Sequence, residues 1–214
     1  MTASLAEILR TARVVPVAVF EDLNAALETA AVLVRGSLPV IEITLRTKAA
    51  LDCIRAVSDK FPDLQTGAGS VLSVEALDDA HKAGARFAVA PCLDPDVVRH
   101  AREIGIPFVP GVATPSELNC ALKLGCEIIK IFPAEDLGGP AYINALTAPF
   151  KLKEFSLIPT GGINEKNIGG YFSIPRVIAC GASYVVDSRL VEKGDFASLA
   201  DRVRSISSGL RALG

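Results

Sequence analysis

Two short apolar runs carry charges that could do chemistry on a carbonyl: Val40-Ile41-Glu42-Ile43-Thr44-Leu45-Arg46-Thr47 and Glu127-Ile128-Ile129-Lys130-Ile131-Phe132-Pro133. Side chains alternate along a strand, so Glu42, Thr44 and Arg46 share one face while Ile41, Ile43 and Leu45 share the other. In the second run Ile129 and Ile131 oppose Ile128, Lys130 and Phe132. The aliphatic faces must pack on covering helices, which turns Lys130 and Glu42 toward a common interior. An ammonium taken out of water loses its proton or finds a partner. The neutral amine is a nucleophile toward carbonyls, and a neighbouring carboxylate can carry the protons that Schiff-base formation requires. The plainer alternative is a buried Lys130–Glu42 ion pair that only fills space, although such pairs are often no more stabilising than apolar replacements. Arg46, about 13 Å beyond Glu42 at the usual strand rise, would stand at the mouth of that interior. A guanidinium there suits a carboxylate or a phosphate, with a solvated rim arginine as the alternative.

Three other apolar runs end in small residues: Gly67-Ala68-Gly69-Ser70, Pro159-Thr160-Gly161-Gly162-Ile163-Asn164 and Cys180-Gly181-Ala182-Ser183. Glycines let an anion approach main-chain N–H groups, and a helix start just beyond favours negative charge. A metal site is not expected. His81 and His100 fall in predicted outer helices and read as surface residues, and no Asp/His cluster stands at a strand end. Cys92, just after Pro91, is the one thiol near the expected site and reads as a lining residue, with no base nearby to activate it.

These groups need a scaffold, and the chain has a period. Gly84, Gly105 and Gly125 each close a helix-like stretch and are followed within a few residues by an apolar run, as at the αβ junction of a repeating unit. Eight strands are expected near 14–20, 40–45, 65–71, 86–91, 107–112, 127–132, 156–160 and 176–186. Between them lie amphipathic stretches with start signals: Ser73 before Val74, Leu77 and Ala80; Asp94-Pro95; and Thr114-Pro115-Ser116-Glu117, a capping box. A short N-terminal helix precedes the first strand, and 195–213 reads as a last helix. The expectation is a compact α/β protein, one (β/α)₈ barrel domain over 1–214, with a doubly wound open sheet as the alternative. In such barrels functional groups lie at the C-terminal strand ends, and phosphate sites form after the seventh and eighth strands.

Composition agrees with a barrel. Half of the 214 residues are hydrophobic and Trp is absent, so Val, Ile, Leu and Ala must fill the core, as in parallel strands covered on both faces. The apolar content excludes a disordered chain. Lys and Arg number 22 against 24 Asp and Glu, without the basic excess of a nucleic-acid binder. The longest early apolar run, 14–20, is too short to span a bilayer, and 1–13 lacks the order of a signal peptide. The five cysteines are odd in number and lack a Cys-x-x-Cys pair. They read as small hydrophobes in a reducing compartment, hence a cytoplasmic protein with no nucleic-acid or membrane partner.

Residues 40–47, Gly-Ala-Gly-Ser (67–70), Ile-Lys-Ile-Phe-Pro-Ala-Glu (129–135) and Pro-Thr-Gly-Gly-Ile (159–163) resemble the 2-keto-3-deoxy-6-phosphogluconate aldolases, the KDPG/KHG aldolase family. The combination of Glu-x-Thr-Leu-Arg-Thr with Lys-x-Phe-Pro-Ala is specific, since both halves and their order must coincide. The resemblance implies a (β/α)₈ barrel assembled as a homotrimer. It implies reversible cleavage of KDPG to pyruvate and glyceraldehyde 3-phosphate in the Entner–Doudoroff pathway, with no cofactor beyond a covalent Schiff base on Lys130. Glu42 then matches the acid/base, and Arg46 and Ser70 match carboxylate contacts. Pro91 and Phe132 match lining residues, and Thr160 matches a residue that orients substrate. Gly161, Gly162 and Ser183 match the phosphate contacts. Ser70 stands where the family usually has Thr, keeping the hydroxyl and losing a methyl. Cys92-Leu93-Asp94-Pro95 replaces a Gly-rich loop. Alternatives are a sister aldolase for 2-keto-4-hydroxyglutarate (KHG) or 2-keto-3-deoxy-6-phosphogalactonate, and a non-catalytic phosphate-binding barrel with Lys130 as a point charge. Thr-Leu-Arg after Glu42 favours the gluconate branch.

Overall fold

Strands alternate with helices throughout the computed structural model, which describes residues 3–212. The strands are β1 (Val14–Ala18), β2 (Val40–Thr44), β3 (Gln65–Gly69), β4 (Phe87–Val89), β5 (Phe108–Val109), β6 (Gly111–Val112), β7 (Ile128–Ile131), β8 (Ser156–Pro159) and β9 (Cys180–Ala182). All pairings are parallel, in the orders β5-β4-β3-β2-β1-β9 and β6-β7-β8. β5 and β6 flank Pro110, and bridges Leu157↔Val177 and Thr160↔Gly181 join β8 to the β9 side. The curled sheet thus comes round on itself as a (β/α)₈ barrel.

Two expected strands are altered. The run 107–112 is cut at Pro110, which has no N–H to give to the ladder, although its carbonyl still accepts from Lys130 N–H at 2.9 Å. Of 176–186 only Cys180–Ala182 is strand. Arg176 instead spends its guanidinium on the carbonyls of Phe150, Lys151, Lys153 and Phe155, and Ser183–Val185 is a 3₁₀ turn.

The helices follow their start signals. α1 (Leu5–Ala12) has a Ser4/Glu7 capping box, and α2 (Leu23–Arg35) is capped by Asp22. α3 (Ala50–Lys60) is followed by α4 (Val74–Lys82), capped by Ser73, and α5 (Pro95–Glu103), capped by Asp94. α6 (Pro115–Lys123) carries the Thr114/Glu117 box. α7 (Gly139–Thr147), α8 (Ile168–Tyr171), α9 (Ser188–Glu192) and α10 (Phe196–Ala212) complete the chain. The expected last helix starts one residue later than read, and position 213 lies outside the described residues. Among the described residues no helix is long and apolar enough to cross a membrane.

The apolar side chains separate into two cores. Ile41, Ile43, Ile129 and Ile131 face outward and pack with the helices. Val15, Val40, Phe87, Val89, Val109 and Ile158 form a separate interior cluster with Leu9 and Ala12 of α1. α1 therefore plugs the N-terminal end of the barrel, and the lower interior is closed and apolar. The alternation read from the sequence holds on both β2 and β7. What remains of the interior, toward the C-terminal strand ends, receives the charges.

Candidate active site

β2 and β7 stand four strand steps apart whichever way one goes round the ring, so their inward side chains meet across the interior. Lys130 Nζ lies 3.6 Å from Glu42 Oε1, with side chains only 6% and 4% exposed. That separation is a close charge contact but too long for a hydrogen bond, so neither group is locked to the other. The Phe132 ring is also near the amine, its centroid 5.3 Å from Nζ.

Glycine on the neighbouring strand makes room for the carboxylate. β3 pairs Gly67 with Glu42 and Gly69 with Thr44. A Cβ placed on Gly69 would lie 2.2 Å from Glu42 Oε1, far inside contact distance. Gly67 serves the layer below, where a Cβ would strike the Phe87 ring at 2.2 Å. The Gly-Ala-Gly signature is thus explained by volume: the two glycines seat an aromatic ring and a catalytic-type carboxylate, one above the other.

The remaining expected residues stand around the C-terminal rim. Arg46 is exposed beyond the end of β2, and its Nε donates to Thr44 Oγ1 at 3.2 Å. Ser70 follows β3 in the left-handed region at φ 59 and is half-buried. Pro91 follows β4 and packs its backbone on β6, where a Cβ on Gly111 would meet the Pro91 carbonyl at 2.4 Å. Thr160 is buried at the end of β8 against Gly181 of β9, where a Cβ would lie 2.3 Å from Thr160 Oγ1.

Gly161 and Gly162 take φ values of +103 and +74, which L side chains rarely adopt. Their loop is tied to the residues after β7: Ala134 N–H donates to the Thr160 carbonyl and Glu135 N–H to the Gly161 carbonyl, at 2.8 and 3.1 Å. The Glu135 carboxylate in turn accepts from the buried Tyr171 hydroxyl. Ser183, exposed, opens the 3₁₀ turn on the adjacent strand end. The structure brings Lys130, Glu42 and Phe132 into one cluster. It sets Thr160, Gly161, Gly162 and Ser183 on adjacent strand ends, and puts Arg46, Ser70 and Pro91 on the opposite arc without direct contact to the amine.

Several contributors escaped the sequence reading. The alternation along β2 turns Thr44 inward between Glu42 and Arg46, and that position is the signal that marks it. Gly181 and the Glu135–Tyr171 contact carried no local signal. His100 is not a plain surface residue: its Nε2 lies 2.7 Å from Asp78 Oδ1 across α4 and α5, and the side chain is half-buried. Of the cysteines, Cys53, Cys126 and Cys180 are buried as read, and burial pushes the Cys53 and Cys126 thiols up to about 11. Cys92 instead is exposed, its carbonyl accepting from Gly111 N–H at 3.2 Å.

Hollows elsewhere offer less chemistry. One of about 470 Å³ opens at the plugged end, where Arg102 is spent on the Leu124 carbonyl at 2.6 Å. Another, of about 400 Å³, is lined by Ser183 and so adjoins the site, with Asp187 facing Arg189 and Arg202. Among the described residues no three His, Cys, Asp or Glu side chains gather as a metal site would require. A buried amine facing a carboxylate, ringed by rim arginine, hydroxyls and a glycine loop, can form an imine with a small anionic keto compound.

Known proteins resemble this chain in sequence and fold. A family model described as KDPG and KHG aldolase matches residues 5–202. The chain is 40% identical over 193 residues to 2-dehydro-3-deoxy-phosphogluconate aldolase of Treponema pallidum, covering 90% of this chain and 91% of that one. It is 38% identical over 208 residues to the KHG/KDPG aldolase of Escherichia coli K12, covering 97% of each. Among solved structures, KDPG aldolase from Legionella pneumophila, with pyruvate captured as a covalent carbinolamine intermediate, superposes with a TM-score of 0.90. It is 32% identical, covering 95% of this chain and 98% of that one.

Proposed function

Because the chain belongs to the KDPG and KHG aldolase family, we propose that it is a Schiff-base aldolase that reversibly cleaves 2-keto-3-deoxy-6-phosphogluconate to pyruvate and glyceraldehyde 3-phosphate. The observation that carries this reading is the buried Lys130 amine 3.6 Å from the Glu42 carboxylate.

Lys130, as free amine, adds to the C2 ketone. Glu42 protonates the carbinolamine oxygen, which leaves as water and gives the iminium. As a carboxylate again, Glu42 takes the C4 hydroxyl proton. The C3–C4 bond breaks, its electron pair flows into the iminium, and the aldehyde departs. The enamine accepts a proton at C3, and water hydrolyses the new iminium to release pyruvate and restore the amine. The iminium is the electron sink, so the chemistry calls for neither metal nor organic cofactor.

Arg46 and Ser70 receive the keto-acid carboxylate, Pro91 and Phe132 wall the site, and Thr160 orients the hydroxylated carbons. The N–H groups of Gly161 and Gly162, with the Ser183 hydroxyl, take the phosphate. The enzyme works as a homotrimer in the cytoplasm.

Borohydride reduction in the presence of pyruvate tests the reading. A reduced pyruvate adduct on Lys130, located by peptide mass spectrometry, is expected. No adduct overturns it in favour of a phosphate-binding barrel, and an adduct elsewhere removes Lys130 as the nucleophile. The name of the E. coli relative favours a second substrate, KHG. Comparative kcat/KM values on KDPG, KHG and the galactonate analogue rank the three, and light scattering should give three times 22.5 kDa.

A further inference from the structure

Thr44 stands two residues beyond Glu42 on the same inward face of β2 and is 2% exposed. Its hydroxyl donates to the carbonyl of Ala18, the last residue of the neighbouring β1, at 3.2 Å. Arg46 Nε donates to the same hydroxyl oxygen at 3.2 Å. A hydroxyl has one proton and two lone pairs, while a guanidinium only donates. The direction of both bonds is therefore fixed: the proton belongs to Ala18 and a lone pair to Arg46.

The backbone reinforces this placement. Arg46 N–H donates to the Thr44 carbonyl at 2.8 Å, which curls the chain back as it leaves β2. Leu45 N–H is held by the Gly69 carbonyl at 2.8 Å. Thr44 is β-branched and stiff at χ1, so its oxygen is a rigid post. Arg46 is otherwise exposed, and an exposed arginine samples many rotamers. Among the described residues its terminal nitrogens make no further hydrogen bond or ion pair.

We infer that Thr44 is a positioning residue for carboxylate recognition: it holds Arg46 by Nε so that both terminal nitrogens present a two-pronged edge to the keto-acid carboxylate. The inference rests on the reading of Arg46 as the carboxylate clamp. It assigns Nε to the protein and the end-on edge, Nη1 and Nη2, to the ligand. Ala18, at the end of a strand that carries no chemistry, sets the direction of the post.

Four variants test it: Thr44→Val, Thr44→Ser, Arg46→Met and the double Thr44→Val/Arg46→Met, each checked for fold by circular dichroism. Two quantities are read, steady-state constants on KDPG and the pyruvate concentration that half-saturates borohydride trapping. Thr44→Val should raise KM and the trapping midpoint about tenfold, the loss expected for a hydrogen bond to a charged group. Its kcat should stay within about threefold, because the carboxylate is held equally before and during bond cleavage. Thr44→Ser should restore both constants. In the Arg46→Met background Thr44→Val should add nothing.

An unchanged KM in Thr44→Val, a Ser variant as impaired as Val, or an equal further loss without Arg46 overturns the inference. Arg46→Met with wild-type KM overturns the clamp reading itself, whatever Thr44 does. If Thr44→Val does not fold, Thr44→Ala takes its place under the same criteria.

Discussion

Lys130 Nζ faces Glu42 Oε1 at 3.6 Å across the barrel interior, from β7 to β2. The pair closes no hydrogen bond, and the layer below it is the apolar cluster that holds Val40, Phe87 and Ile158. A carbonyl carbon that reaches the amine therefore lies within reach of the carboxylate as well. Four predictions test this geometry and its surroundings, besides the trapping and Thr44 experiments.

Glu42→Gln keeps the shape and removes the proton carrier. Turnover should fall about 10²- to 10⁴-fold, the usual weight of a general acid–base group. Pyruvate should still bind and be trapped slowly. An unchanged kcat in steady-state assays removes Glu42 from the proton path.

Gly69→Ala introduces a methyl group 2.2 Å from Glu42 Oε1. The carboxylate must swing away, and a displacement near 1 Å can cost about 100-fold in rate. A loss of that order in kcat, with the thermal unfolding little changed, is the expected result. Full activity would mean that the carboxylate has freedom this packing denies it.

Gly162→Ala meets two obstacles, a φ of +74 and a methyl group 2.6 Å from Glu135 Cβ. Both distort the loop assigned to phosphate. KM for KDPG should rise about tenfold, since a side chain in that backbone region costs about 1–2 kcal/mol. Cleavage of KHG, which has no phosphate, should be unaffected. Equal losses on both substrates would detach the loop from phosphate recognition.

His100 and Asp78 give the fold a pH-dependent contact away from the site. The hydrogen bond that His100 donates to Asp78, helped by the aspartate's charge and by Glu103, holds the His100 pKa above its ordinary value despite partial burial. The same bond holds Asp78 below its ordinary value, with His100, Lys82 and His81 as favourable charges. The histidine part of this stability is fully present below the unfolded pKa of about 6.5 and is lost as pH rises through the raised folded value. The aspartate part is present above about pH 4 and is lost as pH falls through the depressed value. The Tm difference between wild type and Asp78→Asn should therefore be widest near pH 5 to 6 and shrink toward pH 9. A pH-independent difference would show that the contact is uncharged.

Much of this protein is written locally. The alternation Ile41, Glu42, Ile43, Thr44 determines which side chains face helices and which face inward, because a strand's pleat has a period of two wherever it sits. The glycines at 84, 105 and 125, the Ser73, Asp94 and Thr114 caps and the apolar runs determine where units begin and end, because these are properties of single turns. The break at Pro110 is also local, since proline has no N–H for the ladder, but the shortened strand at 180 was not legible, since Arg176 is drawn off by carbonyls some 20 residues away in sequence. Only the tertiary structure decided the distances. Ring closure and strand stagger bring Lys130 to Glu42, put Gly69 under the carboxylate and Gly181 beside Thr160, and set Asp78 against His100. Each of these contacts joins elements that no local pattern relates, so each is fixed by how far neighbouring strands slide past one another when the sheet closes.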